Sequence, residues 1–276
     1  MAQKRTWLIT GCSSGFGRIL SEMLLARGER VLMTVRRPDT VADLLARYPD
    51  TARCFVLDVA KTESAKGVIA EAEAAFGGID VLINNAGYAL FGGVEETPPA
   101  LFRELFETNF FGALEVMRAV LPGMRKRRSG RIINMSSMAG IAGGMGMGYY
   151  AATKFALTAV TESLVLETAG MGIKITLIEP GAHRTEVRAH WKMADGIDGY
   201  ETTIGKVREA LRTGAGREPG DPLIACEAIL KIAEAENPPL HLPLGKDALE
   251  RAERKLALVS GDIATWRDLI VSTTTG

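Results

Sequence analysis

Short strand-like runs alternate with segments of helical period along nearly the whole of this 276-residue chain. Residues 6–10, 30–35, 53–57, 80–83, 131–135, 174–179 and 241–244 read as strands. Between them, residues 62–76, 101–128, 150–168 and 221–235 carry the spacing of helices. This order predicts an α/β fold, a doubly wound, Rossmann-like parallel sheet in a three-layer αβα stack. Right-handed crossovers set its hand. Pro243 marks the last strand as a sheet edge, because proline cannot donate to a ladder.

The expected organisation is a single domain over residues 1–276. A substrate lid is expected at about 182–213, where the periodicity weakens around Trp191 and Met193. A C-terminal helical extension is expected at about 245–276, with Leu249, Ala252, Leu256 and Val259 as a helical stripe.

Composition narrows the function. Hydrophobic residues make up 47% of the chain, enough for a large core, and 33 basic residues balance 33 acidic ones. That balance weighs against nucleic acid as a partner. The run Arg125-Lys126-Arg127-Arg128 reads as a helix end, where cations complement the dipole. Cys12, Cys54 and Cys226 lie far apart without a C-x-x-C, as in a reducing compartment. His183, His190 and His241 lack metal-ligand spacing, so no metal is expected and structural roles are. No signal-peptide pattern opens the chain and no apolar run approaches membrane-spanning length. The expectation is a cytoplasmic protein without a membrane partner.

In open α/β sheets, ligands bind beyond the carboxyl ends of the strands. Thr10, Asp58, Asn85, Ser137 and Pro180 lie at or just past five such ends. The first strand runs into Gly11-Cys12-Ser13-Ser14-Gly15-Phe16-Gly17 and then a helix pattern through Ile19, Leu20, Met23 and Leu24. Glycines let backbone approach a ligand, and a helix N-terminus offers free N–H groups to a pyrophosphate. The spacing is G-x-x-x-G-x-G, which a tight turn without a ligand could also use.

Where an NAD site places an acid after the second strand, this chain has Arg36 and Arg37, with no acid until Asp39. Two guanidiniums suit the 2′-phosphate of NADP. A solvated loop is the plainer reading. Asp58 and Val59 fall where an adenine would lie.

Tyr150 and Lys154 stand four apart, on one face of a helix. An ammonium beside a phenol favours the phenolate and brings proton exchange nearer neutrality. Asn109 sits in an apolar helical stretch beside Phe110 and Phe111, either as a satisfied core amide or at a kink that binds water. Residues 140–148 hold five glycines and form a pocket-shaping loop. Leu90, Phe91, Met145, Met147 and Trp191 make an apolar substrate pocket plausible.

Taken together, Thr10 to Gly17, Asn84-Asn85-Ala86-Gly87, Asn109, Ser137, Tyr150 with Lys154, and Pro180-Gly181 followed by Thr185 resemble the classical short-chain dehydrogenase/reductases. The resemblance runs from Thr6 to about Leu244 and looks like the NADP-preferring type. It implies Tyr150 as general acid or base, Ser137 orienting the carbonyl or alcohol, Lys154 holding the nicotinamide ribose, and Asn109 anchoring a water. It implies cofactor contacts from Gly11, Ser13, Ser14, Gly15, Phe16, Gly17, Arg36, Arg37, Asp58, Val59, Asn85, Ala86, Gly87, Tyr150, Lys154, Pro180, Gly181 and Thr185.

Two departures stand out. His183 replaces an aliphatic residue, and the tail after Leu244 exceeds the family core. The resemblance also implies a homodimer or homotetramer built on helices 101–128 and 150–168. The functional expectation is an NADP(H)-dependent oxidoreductase acting on an apolar carbonyl/alcohol pair. Its rival is a non-catalytic NADP-binding regulator on the same fold. A lyase or dehalogenase would be expected to lose the glycine turn, and an epimerase would need a larger C-terminal part.

Overall fold

A computed structural model describes residues 4–185, 191–213 and 218–274. His190 and part of the expected lid lie outside these residues. The chain begins with β1 (Thr6–Thr10), α1 (Gly15–Ala26) and β2 (Arg30–Val35), then a 3₁₀ turn, α2 (Ala42–Arg47) and β3 (Ala52–Val56). It continues with α3 (Thr62–Phe76), β4 (Val81–Asn84), the two-residue β5 (Leu90–Phe91), α4 (Pro99–Phe106), a π-helical turn (Glu107–Gly112) and α5 (Ala113–Arg127). Next come β6 (Gly130–Met135), α6 (Gly148–Glu167), β7 (Ile173–Pro180) and the two-residue β8 (Lys192–Met193). The remaining elements are α7 (Lys206–Thr213), α8 (Pro222–Glu234), β9 (His241–Leu244), α9 (Lys246–Thr265) and α10 (Arg267–Ser272).

Seven strands form one parallel sheet in the order β3-β2-β1-β4-β6-β7-β9. The order reverses between β1 and β4, which opens a crevice at the carboxyl end of β1. Strands with both faces covered are apolar throughout, and β1 and β4 are buried at every position. One face packs Trp7, Ile9, Met33 and Ile83 against Leu20 and Leu24 of α1 and Ile229 of α8. The other packs Leu8, Leu82 and Ile132 against Ile69 of α3, Val116 and Val120 of α5, and Leu157 of α6. This is the expected doubly wound fold, with β9 and its Pro243 at the edge.

Several expectations change in detail. The predicted helix at 101–128 is three pieces, α4, the π turn and α5. The π turn holds Asn109, so the kink falls at that residue. The helix carrying Tyr150 starts two residues early, at Gly148. The described part of the segment expected as a lid is tied to the body: β8 pairs with β5, Lys192 Nζ lies 2.6 Å from Glu104, and Tyr200 donates to Glu95 at 3.0 Å. Leu90 and Phe91 are buried in this small sheet, so they do not line an open pocket. Beneath it, Arg208 of α7 reaches the fully buried Glu96 at 2.6 Å. The cationic run ends α5 as expected, with Arg128 in the left-handed region and Arg127 donating to Ile79 O at 2.6 Å.

Candidate active site

The glycine turn is shaped by backbone crowding. Gly17 is pressed against the carbonyl of Gly11, and a Cβ there would also lie 2.5 Å from Asn85 Nδ2. Asn85 Nδ2 donates to Thr10 O at 2.9 Å and Gly11 O at 3.0 Å. Thr10 Oγ1 in turn accepts from the backbone N–H of Asn85 and of Ala86, both at 3.0 Å. The end of β1, the end of β4 and the first turn of α1 are thus one unit. Gly11 adopts φ 71°, a region open to glycine. Ser14 precedes α1 without a side-chain cap, so the first-turn N–H groups keep their capacity for an anion. Ser13 is exposed on this turn.

Gly87 follows the same strand end. A Cβ on it would lie 3.0 Å from Asn109 Oδ1 and 3.8 Å from Lys154 Nζ, which places all three groups together. Asn109 is satisfied by the chain itself. It accepts from Tyr88 N at 3.0 Å and donates to Tyr88 O at 2.8 Å and Thr153 Oγ1 at 3.3 Å. The π turn aims the carboxamide inward, the core-amide reading of this residue.

Tyr150 lies in the first turn of α6, close enough to Ser137 for that hydroxyl to act on the ionisation of the phenol. Ser137 Oγ also accepts from Ala139 N at 3.1 Å, which fixes its rotamer at the end of β6. Lys154 Nζ donates to Met135 O at 2.7 Å and lies 5.8 Å from the Tyr150 ring centroid. The lowering of the Tyr150 pKa expected from its lysine neighbour is not found. Burial pushes the Tyr150 phenol up, against the lowering effect of the Ser137 hydroxyl. Burial also brings Lys154 down to about 8. The lysine is held by a main-chain carbonyl and not by the phenol. Tyr149 points away, stacking on Phe102 at 4.4 Å and donating to Val94 O at 3.0 Å.

The remaining residues fall on the same rim or its flanks. Pro180 ends β7, and Gly181 N donates to Leu244 O at 2.8 Å. Asp247 of α9 accepts from Ala182 N at 2.7 Å and crowds Gly181, so the start of the tail holds this turn. The His183 ring packs edge-on against Phe16 at 5.5 Å, and its Nδ1 lies 3.1 Å from Gly181 O. Thr185 faces the glycine turn, its Cβ 3.8 Å from where a Cβ on Gly15 would stand. Arg36 and Arg37 are exposed past β2, with Arg37 on Asp39 at 3.0 Å. Asp58 takes Ala60 N at 3.2 Å, while Val59 is buried under Gly112.

Asp247, Met135 O and the Glu96–Arg208 pair escaped sequence reasoning. Their partners lie far off in sequence, and no local spacing marks them.

The residues at the switch point suit a dinucleotide. Glycine at 11 and 17 lets β1, β4 and α1 close on one another, and the N–H groups of the first turn of α1, without a side-chain cap, border that turn. Ser137, Tyr150 and Lys154 lie across the switch point from this glycine cradle.

Comparison with known proteins places this arrangement. The family model described as short chain dehydrogenase matches residues 5–195. Oxidoreductase BOA17 of Botryotinia fuckeliana is 34% identical over 268 residues, covering 96% of this chain and 97% of that protein. The crystal structure of a short-chain dehydrogenase from Streptomyces avermitilis is 38% identical, with TM-score 0.92, and covers 99% of this chain and 100% of that one. ElxO with NADP bound is 27% identical, with TM-score 0.74, covering 90% of this chain and 100% of that one. With a family model over two thirds of its length and full-length relatives in agreement, the chain belongs to the short-chain dehydrogenase family.

Proposed function

We propose that this oxidoreductase is NADP(H)-dependent and interconverts an apolar carbonyl compound and its alcohol. The observation that carries the reading is that Lys154 lies 5.8 Å from the Tyr150 ring and beside Gly87, on the rim that also holds Ser137 and the glycine cradle. The bound nicotinamide supplies the hydride in reduction and accepts it in oxidation. Tyr150 acts at the substrate oxygen as general acid in reduction and general base in oxidation. Its raised pKa keeps it protonated near neutrality, which suits a proton donor. Ser137 orients the same oxygen and supports its developing charge. Lys154 keeps its charge below about pH 8 and faces the place of the nicotinamide ribose. Asn109 fixes Tyr88 and Thr153 beside Gly87, with a water-anchoring role taken from the family. Gly11, Ser13, Ser14, Gly15, Phe16 and Gly17 take the pyrophosphate side. Asn85, Ala86, Gly87, Pro180, Gly181 and Thr185 line the nicotinamide half. Met145, Met147 and Trp191 border the substrate side. Steady-state NADPH oxidation over a panel of apolar ketones and aldehydes tests the reading.

Cofactor choice follows from Arg36 and Arg37, and the NADP bound to ElxO supports it. Arg36 makes no ion pair among the described residues, whereas Arg37 must release Asp39 or share with it. One charged contact to phosphate contributes on the order of 1.5–3 kcal/mol, roughly tenfold or more in affinity. NADPH is therefore expected to bind at least tenfold more tightly than NADH, and Arg36→Ala to narrow the gap. Equal dissociation constants in a fluorescence titration would refute this.

The helices of the family interface support a two-fold dimer. Phe111 and Leu166 are exposed on the π turn and on α6, and Phe155 is exposed on α6 as well. Aromatic surface of this kind on adjoining elements marks a contact. Phe155→Glu is expected to halve the mass measured by light scattering at micromolar concentration, and an unchanged mass would count against this interface.

A further inference from the structure

The amino ends of the strands, a strand length or about 17 Å from the glycine cradle, hold another concave site. A cleft of about 560 Å³ lies there, lined by Lys4, Arg5, Asp80, Arg131 and Lys174. The register of the sheet gathers the cations. Arg131 of β6 pairs with Lys174 of β7, so their side chains stand side by side on one face. Arg5 lies two residues before Trp7, and Arg131 two before Ile133. Both therefore continue the rows of apolar residues that pack under α1 and α8. Helix α8 ends at Glu234, where Arg5 Nη1 donates to Ala233 O at 3.4 Å. Past that end the same face carries charge.

These cations are short of partners. Lys4, Arg5, Arg131 and Lys174 make no ion pair among the described residues. Arg5 uses one N–H on Ala233 O, and Lys174 Nζ donates to Glu236 O. Arg131 makes no side-chain hydrogen bond among the described residues, although a guanidinium has five N–H donors. Burial and the charge of Arg5 hold the Arg131 guanidinium below its ordinary range, with Glu234 acting the other way. The acids around the cleft are engaged. Asp80 accepts from Thr6 N at 2.8 Å, Glu29 accepts from Arg5 N at 2.7 Å, and Glu234 pairs with Arg27 at 3.4 Å. Cations at the C-terminal end of a helix suit its dipole, which accounts for Arg5 on α8 and not for Lys4 or Arg131.

We propose that this cleft binds a small anion carrying two phosphate groups, at a site separate from the cofactor cradle. Four cations face the single carboxylate, Asp80, among the described lining residues. That excess of positive charge matches a diphosphate better than a monophosphate. Two guanidiniums fit pairs of phosphate oxygens, and two ammonium groups add point charge without fixed geometry. A cleft of this size admits a small organic diphosphate as well as inorganic pyrophosphate. The whole chain balances 33 basic against 33 acidic residues, so the charge is a local patch and not a nucleic-acid surface. An anion held there ties the starts of β1, β6 and β7 together and stabilises the fold by mass action.

Titration of inorganic pyrophosphate into the NADPH-saturated full chain at constant ionic strength tests this, read by phosphorus NMR line width and by melting temperature. Binding at one site per chain and a raised melting temperature are expected. Arg131→Gln with Lys174→Gln removes two charges and keeps most of each stem, and should raise the dissociation constant about tenfold or more. Should that protein fail to fold, Lys4→Glu serves in its place, because Lys4 is exposed ahead of β1, and a loss of about tenfold is again expected. Arg254→Gln with Arg267→Gln removes the same charge from the exposed tail helices and should leave the affinity unchanged. No response to pyrophosphate, or equal losses in the cleft variants and this control, overturns the proposal. So does binding that NADPH displaces and the cleft variants leave intact, since that pyrophosphate sits in the cofactor cradle. Inorganic phosphate binding as tightly as pyrophosphate overturns the assignment to two phosphate groups. If NADPH does not bind, the titration without it is decided by the cleft variants against the control.

Discussion

Replacing Tyr150 by phenylalanine is expected to lower turnover by about 10²–10⁴-fold, the usual scale for a positioned acid or base, with NADPH binding kept. The change removes one hydroxyl and leaves the ring. Ser137 keeps its bond from Ala139 N, and Lys154 keeps its bond to Met135 O, so the neighbours stay in place. Neither α6 nor the cradle at Gly17 depends on the hydroxyl. Tyr149→Phe is the control. Its hydroxyl reaches Val94 O on the far side of the helix, so its loss should cost little beyond one hydrogen bond, about 1 kcal/mol of stability. Steady-state rates and cofactor titrations on both variants separate the two positions. Near-normal turnover in Tyr150→Phe with loss in Tyr149→Phe would place the chemistry on the wrong tyrosine.

The second large effect is structural. Gly17→Ala drives a methyl group into the Gly11 carbonyl and against Asn85 Nδ2, itself bonded to two carbonyls. None of these is a flexible side-chain tip that can move aside. Overpacking of this kind costs about 1–3 kcal/mol, a fall in melting temperature of roughly 3–10 °C for a chain of this size. The turn must open to accept the methyl, so NADPH affinity is expected to fall at least tenfold. Gly67→Ala supplies the contrast. Nothing lies within 4 Å of a Cβ there, and the residue is inside α3. It should stabilise the protein by about 0.5–1 kcal/mol and leave cofactor binding alone. Thermal melts and NADPH titrations on the two variants check both statements. A Gly17→Ala protein with wild-type melting and affinity would mean that the cradle is looser than described.

The strands were legible because residues buried on both faces are apolar in runs, as at Leu8-Ile9 and Leu82-Ile83. The glycine turn was legible because backbone crowding leaves only glycine at Gly17. Short pairings were not. β5 and β8 are two residues each and about a hundred apart in sequence, so neither carries a periodic signal. The π turn at Asn109 has the spacing of ordinary helix, because one widened turn barely disturbs the apolar pattern. Spacing put Tyr150 and Lys154 on one face but could not show the carbonyl of Met135 that holds the ammonium. Nor could it show the burial that raises the Tyr150 phenol where a lowering is expected. Burial, a property of the packed fold, outweighs a neighbour inferred from sequence. The tail stripe has the pattern of an ordinary buried helix face. Only the fold shows that it stands clear of the domain.

The central claim is that this chain passes hydride between NADP(H) and an apolar carbonyl/alcohol pair with Tyr150 handling the proton. It is tested most directly by incubating the wild-type protein with NADPH deuterated at nicotinamide C4 and a panel of apolar ketones and aldehydes. The account predicts at least one alcohol product carrying deuterium on the former carbonyl carbon, formed by the wild type and not by Tyr150→Phe at matched NADPH occupancy. NADPH that binds tightly yet transfers no deuterium to any carbonyl would contradict it and leave a cofactor-binding regulator in its place.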